Sequence, residues 1–275
     1  MGGLPPWLLR DGTVRLRCMN EPYIKAVERF MKEILRRLVP FQITKGGPVI
    51  MIQIENEYGA YGNDRSYMER LAQLYRDNGV DILTFTSDQP KDHMLRAGRS
   101  EGSLMTGNFG SNAKGRFARL RAFQKKGPLM NTEFWIGWFD HWGGSHNARS
   151  AASAATSFDE TLSLGGSVNV YMFHGGTNFG FMNGANCKGG ATYQPTVTSY
   201  DYDALLSESG DLTPKYHACR NVLGKYVDLP PLPAFDDRKL SIKKISFSSS
   251  VSLDRKPVLG RKGVMIRIAY LLNYI

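Results

Sequence analysis

Two stretches of the sequence set glutamates directly behind apolar runs. Glu55-Asn56-Glu57-Tyr58-Gly59 follows Val49-Ile50-Met51-Ile52-Gln53-Ile54. Met130-Asn131-Thr132-Glu133-Phe134-Trp135 sets its acid among aromatics that continue through Trp138, Phe139, His141 and Trp142. A continuous apolar run reads as a parallel strand covered on both faces, and in a parallel barrel the ligand face lies at the C-terminal ends of the strands. Carboxylates beside aromatic rings suit a sugar: the rings stack on its apolar C–H face, and the acids handle the hydroxyls and the anomeric centre. The plainer readings are a pair of solvated loop acids at 55 and 57 and a core aromatic cluster with one rim acid at 133. Strand alternation places Glu55 and Glu57 on the same side unless the backbone bends at Asn56, so spacing leaves the choice between them open.

A third stretch, Tyr171-Met172-Phe173-His174-Gly175-Gly176-Thr177-Asn178-Phe179-Gly180, runs a strand into a glycine-rich turn, and Ser199-Tyr200-Asp201-Tyr202-Asp203 gathers phenols and acids in one loop. Gly175-Gly176 lacks the pattern of a phosphate loop and no G-x-G-x-x-G follows a strand, which disfavours nucleotide binding. The five histidines, His93, His141, His146, His174 and His217, show no metal-ligand spacing. Cys18, Cys187 and Cys219 are too few for a disulfide framework and can form one bridge at most.

The elements that must position these groups alternate along the chain. Asn20 caps a helix with Pro22 in its first turn, and Tyr23, Val27, Phe30, Met31, Ile34, Leu35 and Leu38 give it one buried stripe. The strand from Val49 to Ile54 leads to a helix from about Asp64 to Asp77 that stops at Gly79. Strand Ile82 to Thr86, a polar turn with Pro90, strand Leu104 to Thr106, a helix near Asn112 to Phe123 and strand Leu129 to Asn131 continue the series. A helix from Ala151 to Leu164, a strand from Val168 to Phe173 and a helix from Thr213 to Tyr226 complete it. Strands alternating with helices predict a parallel α/β architecture, either a barrel or a doubly wound sheet. Asp228-Leu229-Pro230-Pro231-Leu232-Pro233 is a proline-rich boundary. This divides the chain into an α/β part at 1–227, a linker at 228–235 and a partial β segment or divergent tail at 236–275.

The 275 residues carry a net charge of +10, with 42% hydrophobic and 22% charged residues, which fits a soluble globular protein with a real core. From Asp236 onward nine Lys/Arg stand against three Asp, so six of the ten net charges lie in the tail, away from the motifs. Nucleic-acid binding through that tail is disfavoured, because it has no interleaved aromatics and no basic stripe along a helix. The first residues have no basic n-region before an unbroken apolar run, so no signal peptide is expected, and Val264 to Ile275 is too short to span a bilayer. No N-x-[ST] sequon occurs.

Read together, four motifs resemble those of the family-35 glycoside hydrolases, the β-galactosidases. They are Gly46-Gly47-Pro48-Val49-Ile50 leading into Gln53-Ile54-Glu55-Asn56-Glu57-Tyr58-Gly59, then Asn131-Thr132-Glu133-Phe134-Trp135-Ile136-Gly137-Trp138, then Tyr171 to Phe179, then Thr198-Ser199-Tyr200-Asp201-Tyr202-Asp203-Ala204. The resemblance covers residues 1 to about 226 and implies a (β/α)8 TIM barrel of which strands 4 to 8 are recognisable. It implies Glu57, at the end of barrel strand 4, as acid/base and Glu133, at the end of strand 7, as nucleophile of a retaining reaction. Asn56, Trp135, Tyr171, Tyr200 and Tyr202 are implied as sugar contacts, with Trp135 an aromatic contact at best. The implied substrate is a terminal β-linked galactose in a glycan or oligosaccharide, no metal or organic cofactor is required, and the implied address is lysosomal or secreted. The sequence departs from the family in lacking barrel strands 1 to 3 and a further galactose-contacting motif before Gly2-Gly3-Leu4-Pro5-Pro6-Trp7. That leaves two expectations: a β-galactosidase fragment of reduced activity, or a non-catalytic galactose-binding module of the same descent.

Overall fold

The computed structural model describes residues 4–178, 183–188, 192–234 and Ser246. Its first long element is α1 (Glu21–Leu38), which starts where Asn20 accepts a hydrogen bond from the Tyr23 amide. Five strands follow in one sheet: β1 (Met51–Gln53), β2 (Leu83–Asp88), β3 (Leu104–Asn108), β4 (Met130–Trp135) and β5 (Ser167–Tyr171). They lie in chain order, and each pairs in parallel with the next. That order decides between the two architectures left open by the sequence, since a doubly wound sheet reverses its strand order at a switch point and this one does not. The crossovers run through α2 (Arg65–Asp77), α3 (Asp92–Gly98), α4 (Ala113–Phe123) and α5 (Ala151–Ser163). Crossovers of the usual right-handed sense that all advance the same way put every helix on one face and leave the other face as a lumen. The result is an incomplete (β/α) barrel.

The helices start where capping chemistry predicts. Asp64 accepts from Tyr67 N, Asn112 from Gly115 N, Ser150 from Ser153 N, and Thr213 from Tyr216 N at the start of α6 (Pro214–Leu223). Each caps a donor that the first turn cannot pair internally. Three clusters fill the layer between helices and sheet. One joins Tyr23, Ile24, Ile54, Tyr58, Tyr67 and Met68; a second joins Leu95, Met105, Phe109, Phe117 and Leu120; a third joins Phe134, Ile136, Phe158, Leu205, Cys219 and Val222.

Four expectations need correction, the first being the one buried stripe of α1: Tyr23 and Leu35 are buried, but Phe30 is 63% and Ile34 37% exposed. The run Val49 to Ile54 is not covered on both faces: Ile50 is 60% exposed and Met51 to Gln53 are half-buried, because β1 is a sheet edge without an outer partner strand among the described residues. The polar turn around Pro90 carries α3, whose seven residues are too short for a 3.6-residue period to register. The stretch after the glycine-rich turn contains an antiparallel hairpin, β6 (Ala185–Lys188) and β7 (Thr192–Pro195), whose polar, glycine-flanked strands gave no hydrophobic alternation to read. Phe179 and Gly180 lie outside the described residues, as does the segment at 236–275 apart from Ser246. The chain divides into two units between Leu229 and Pro230. Among the described residues no helix is long and apolar enough to cross a membrane.

Two glycines let the loop from Tyr200 to Asp203 close over the strand ends. A Cβ on Gly137 would overlap the Tyr202 carbonyl oxygen, and one on Gly175 would overlap the Tyr200 carbonyl oxygen. Both obstacles are backbone and cannot rotate away. Gly137→Ala is therefore expected to cost about 2–3 kcal/mol in urea unfolding, in the range of overpacked sites. Gly12→Ala, where a Cβ meets nothing within 4 Å, is expected to cost far less.

Candidate active site

The backbone does bend around Asn56. Glu55 and Glu57 both adopt left-handed conformations, with φ of 59° and 48°, a region that non-glycine residues enter only under external constraint. The constraint is visible: Glu57 N donates to Ser87 O at 2.9 Å, Gly59 N donates to an Asp88 carboxylate oxygen at 2.7 Å, and Arg17 Nη2 donates to Asn56 O at 2.7 Å. The two glutamates consequently reach different surroundings.

Glu55 is consumed by structure. Arg17 meets it as a fork, Nε to Oε1 at 3.0 Å and Nη2 to Oε2 at 2.9 Å, and Tyr67 Oη adds a donor to Oε1 at 2.8 Å. The side chains of Arg17 and Glu55 are only 9% and 4% exposed. The Arg17 guanidinium also lies 4.1 Å from the Tyr61 ring centroid, so both faces of the pair are covered. Burial and the Glu55 charge push the Tyr67 phenol well above its ordinary range and keep it a proton donor. Glu57, by contrast, accepts a bond of 3.1 Å from Asn108 Nδ2 at the end of β3. Burial raises its pKa, with the Asn108 bond and the charges of Arg17 and Lys91 pulling the other way.

Asn108 is held by a polar network on the inner face of the sheet. Its Oδ1 accepts from Ser87 Oγ at 2.5 Å and from Thr132 Oγ1 at 3.2 Å, and Thr132 Oγ1 in turn lies 2.5 Å from Thr106 Oγ1. With Oδ1 occupied, the amide has one orientation and Nδ2 faces the carboxylates. The same side chain is near enough to Glu133 to pull its pKa down.

Glu133 reaches this position through an irregularity in β4. Gly107 pairs with Asn131 but Asn108 pairs with Glu133, so Thr132 is an extra residue opposite β3. Such a bulge re-aims the side chains that follow it. Here it lets Thr132 join the inner network while Glu133 still faces the lumen side. Trp135 Nε1 donates to Glu133 Oε2 at 3.0 Å, so this tryptophan offers a polar contact in addition to an aromatic one. Burial raises the Glu133 pKa; the Trp135 bond opposes that and the charge of Glu57 adds to it. Both acids are thus raised from the ordinary carboxylate value, chiefly by burial.

An aromatic wall stands beside them. Trp135 and Trp138 meet edge to face at 5.5 Å, Trp138 stacks on Phe139 at 5.0 Å, and Phe139 stacks on Tyr200 at 5.8 Å. The hydroxyls of Tyr171 and Tyr200 are 3.1 Å apart. Burial raises both phenols, and the charge of Glu133 adds to the effect. Tyr171 and Tyr200 are half-buried, whereas Tyr202 is 2% exposed and packs behind them at 5.3 Å from Tyr171. Asn56 is exposed, and its Oδ1 accepts from Gln53 Nε2 at 2.8 Å. The loop that carries the tyrosines is clamped by Lys215 in the first turn of α6, whose buried Nζ reaches Ile136 O at 3.1 Å and the Asp203 carboxylate at 2.5 Å.

Arg17, Asp88 and Asn108 escaped the sequence reading. Asp88 and Asn108 carried a usable signal, being polar residues at the C-terminal ends of barrel strands. Arg17 carried none, since its partner lies 38 residues away. Asp88 is buried, and burial, followed by the charges of Glu57 and Glu55, raises its pKa from 3.8 to about 7 against the Gly59 bond. A carboxyl raised in the folded state binds more protons folded than unfolded. Its contribution thus lowers stability as pH rises from about 4 to about 7. Asp88→Asn keeps an acceptor for Gly59 N and removes the charge. Urea midpoints measured across that window are expected to fall less steeply with pH in the variant.

Two glutamates at the C-terminal rim of a parallel β/α barrel beside an aromatic wall are the arrangement a glycoside hydrolase needs. Residues 1–226 match the profile of Glycosyl hydrolases family 35, and the chain belongs to that family. It is 47% identical over 239 residues to mouse "Beta-galactosidase-1-like protein", covering 85% of this chain and 36% of that protein. It is 44% identical to rat "Beta-galactosidase-1-like protein 3" over 85% of this chain and 37% of the relative. Against human "Beta-galactosidase" it is 43% identical over 85% of this chain and 35% of that protein. The chain thus spans about a third of the length of these curated relatives.

Proposed function

We propose that the site belongs to a retaining β-galactosidase, in which Glu133 is the nucleophile and Glu57 the acid/base. The observation that carries this reading is that Glu57, just past β1, accepts from Asn108 and lies near enough for its charge to act on Glu133 in the C-terminal half of β4, while Glu55 is already spent on Arg17. Retaining glycosidases need two carboxyl groups about 5 Å apart, one to attack and one to shuttle a proton. Glu133 attacks the anomeric carbon of a terminal β-linked galactose as Glu57 gives its proton to the departing oxygen. A covalent galactosyl-enzyme results. Glu57, now a carboxylate, takes a proton from water, which attacks the anomeric carbon and releases Glu133.

Burial raises the pKa of both acids, and the roles are assigned by their places in the motifs. Burial favours the protonated Glu57 that the first step requires, and the second step requires that proton affinity to fall once Glu133 is esterified and its charge consumed. Trp135 orients the nucleophile, and the protonated phenols of Tyr171 and Tyr200 donate to sugar hydroxyls, with Tyr202 backing them. The Asn56 amide nitrogen serves a further hydroxyl. The same reading takes 1–227 as the catalytic part and 228–235 as a linker, uses no metal or organic cofactor, and assigns the lysosome or the cell exterior as the compartment. Proton NMR of a fresh reaction with an aryl β-galactoside tests the stereochemistry. The full chain is expected to release β-galactose first; initial release of the α-anomer, or binding of galactose with no hydrolysis, overturns the proposal.

A further inference from the structure

Between the starts of α4 and α5, on the outer side of the Trp135 wall, lies a cavity of about 380 Å³ lined among others by Ser111, Arg116, Trp135, Arg149, Ser153 and Ser157. Two of these are cations without a carboxylate partner among the described residues. Arg149 spends its guanidinium on neutral oxygens: Trp135 O at 3.0 Å, Ser153 O at 3.0 Å, Ser153 Oγ at 3.3 Å and Ser157 Oγ at 2.7 Å. The nearby Asp203 carboxylate accepts only the Arg149 backbone N–H, at 2.6 Å, and is already paired with Lys215. Arg116 is barer still, since its Nε is buried and has no hydrogen-bond partner among the described residues.

Two uncompensated guanidinium groups in one cleft are an expensive arrangement, because desolvating a cation costs free energy that a counter-charge normally returns. Burial does lower the Arg149 pKa. The cavity also lies where α4 and α5 begin, at Asn112 and Ser150, and helix N-termini add positive potential. At the start of α4 the Glu160 carboxylate already accepts from Lys114 N at 3.1 Å, so the positive potential rests on Arg116, Arg149 and the start of α5. The Arg116 guanidinium, unpartnered among the described residues, with hydroxyls of Ser111, Ser153 and Ser157 lining the same cavity and the fixed charge of Arg149 beside it, suits an oxyanion that accepts hydrogen bonds.

We infer that this cleft is an oxyanion site for a sulfate or phosphate group, with Arg116 as its principal ligand and Arg149 as the fixed second cation. It does not depend on the reaction proposed above. Because Arg149 also holds the carbonyl of Trp135, whose indole holds Glu133, the site abuts the catalytic wall and could receive either a free inorganic anion or a sulfate carried by a glycan.

Equilibrium dialysis of the full chain with radiolabelled sulfate at constant ionic strength tests it. The natural chain is expected to show a saturable site at one sulfate per chain. Arg116→Gln, which breaks no described side-chain bond, is expected to weaken it at least tenfold. Arg119→Gln removes the same charge from α4 at an exposed position paired with Asp92 and is expected to leave the site unchanged. An O-sulfated β-galactoside as competitor identifies the source: displacement at tenfold lower concentration than sulfate assigns the site to a substrate group, and equal potency assigns it to the free anion. No saturable site in the natural chain, binding by Arg116→Gln within threefold of it, or an equal loss in Arg119→Gln overturns the inference.

Discussion

Replacing Glu133 by glutamine is expected to lower kcat on an aryl β-galactoside by three to six orders of magnitude, the range seen when a lone nucleophile is removed. Glutamine has the same shape and its carbonyl still accepts the Trp135 N–H, so the urea midpoint is expected to stay close to that of the natural chain. The loss would then be chemical. A Glu133→Gly variant sharpens the test, since azide can enter the vacated space and attack the anomeric carbon of an activated substrate directly. One displacement inverts, so the expected product is α-galactosyl azide. Hydrolysis by Glu133→Gln within tenfold of the natural chain would falsify the assignment.

The second large effect falls on stability. Glu55→Gln leaves Arg17 buried, 9% exposed at its side chain, with its countercharge gone. Breaking one member of a buried pair costs about 3–5 kcal/mol, because the remaining charge keeps its desolvation penalty and loses its compensation. The same bonds hold the left-handed turn at Glu55 and Glu57, so the proton shuttle is expected to lose its position as well. Urea unfolding of Glu55→Gln and of Arg17→Met with Glu55→Leu separates the causes. The double variant has no stranded charge and is expected to recover much of the loss. A single variant as stable as the natural chain would show that Glu55 is not structural and would return it to contention as the catalytic acid. Glu57→Gln is expected to show the opposite profile, near-native stability with a large loss of turnover.

Much of this molecule was legible before any coordinates. The N-cap at Asn20 announced its helix, and the helices starting near Asp64 and Thr213 were also read, because capping and helical periodicity are local and cooperate within a few residues. The positions of Glu57 and Glu133 were legible for a similar reason: each ends an apolar strand, and strand ends form the ligand face. The hairpin of β6 and β7 was not, because nothing alternates along it, and α3 was too short to show a period.

Local sequence thus determined that acids would stand at two strand ends in a parallel α/β frame, with aromatics close behind the second. Spacing left the Glu55 and Glu57 pair open and the motif resemblance pointed to Glu57; only the tertiary structure shows Glu55 taken by Arg17, Asn108 beside Glu57 and a bulge at Thr132 ahead of Glu133. The physical reason is range. Asn108 lies 51 residues from Glu57, and Arg17 lies 38 from Glu55. A left-handed glutamate or an extra residue in a strand has no propensity signature of its own, and persists only because distant partners hold it there.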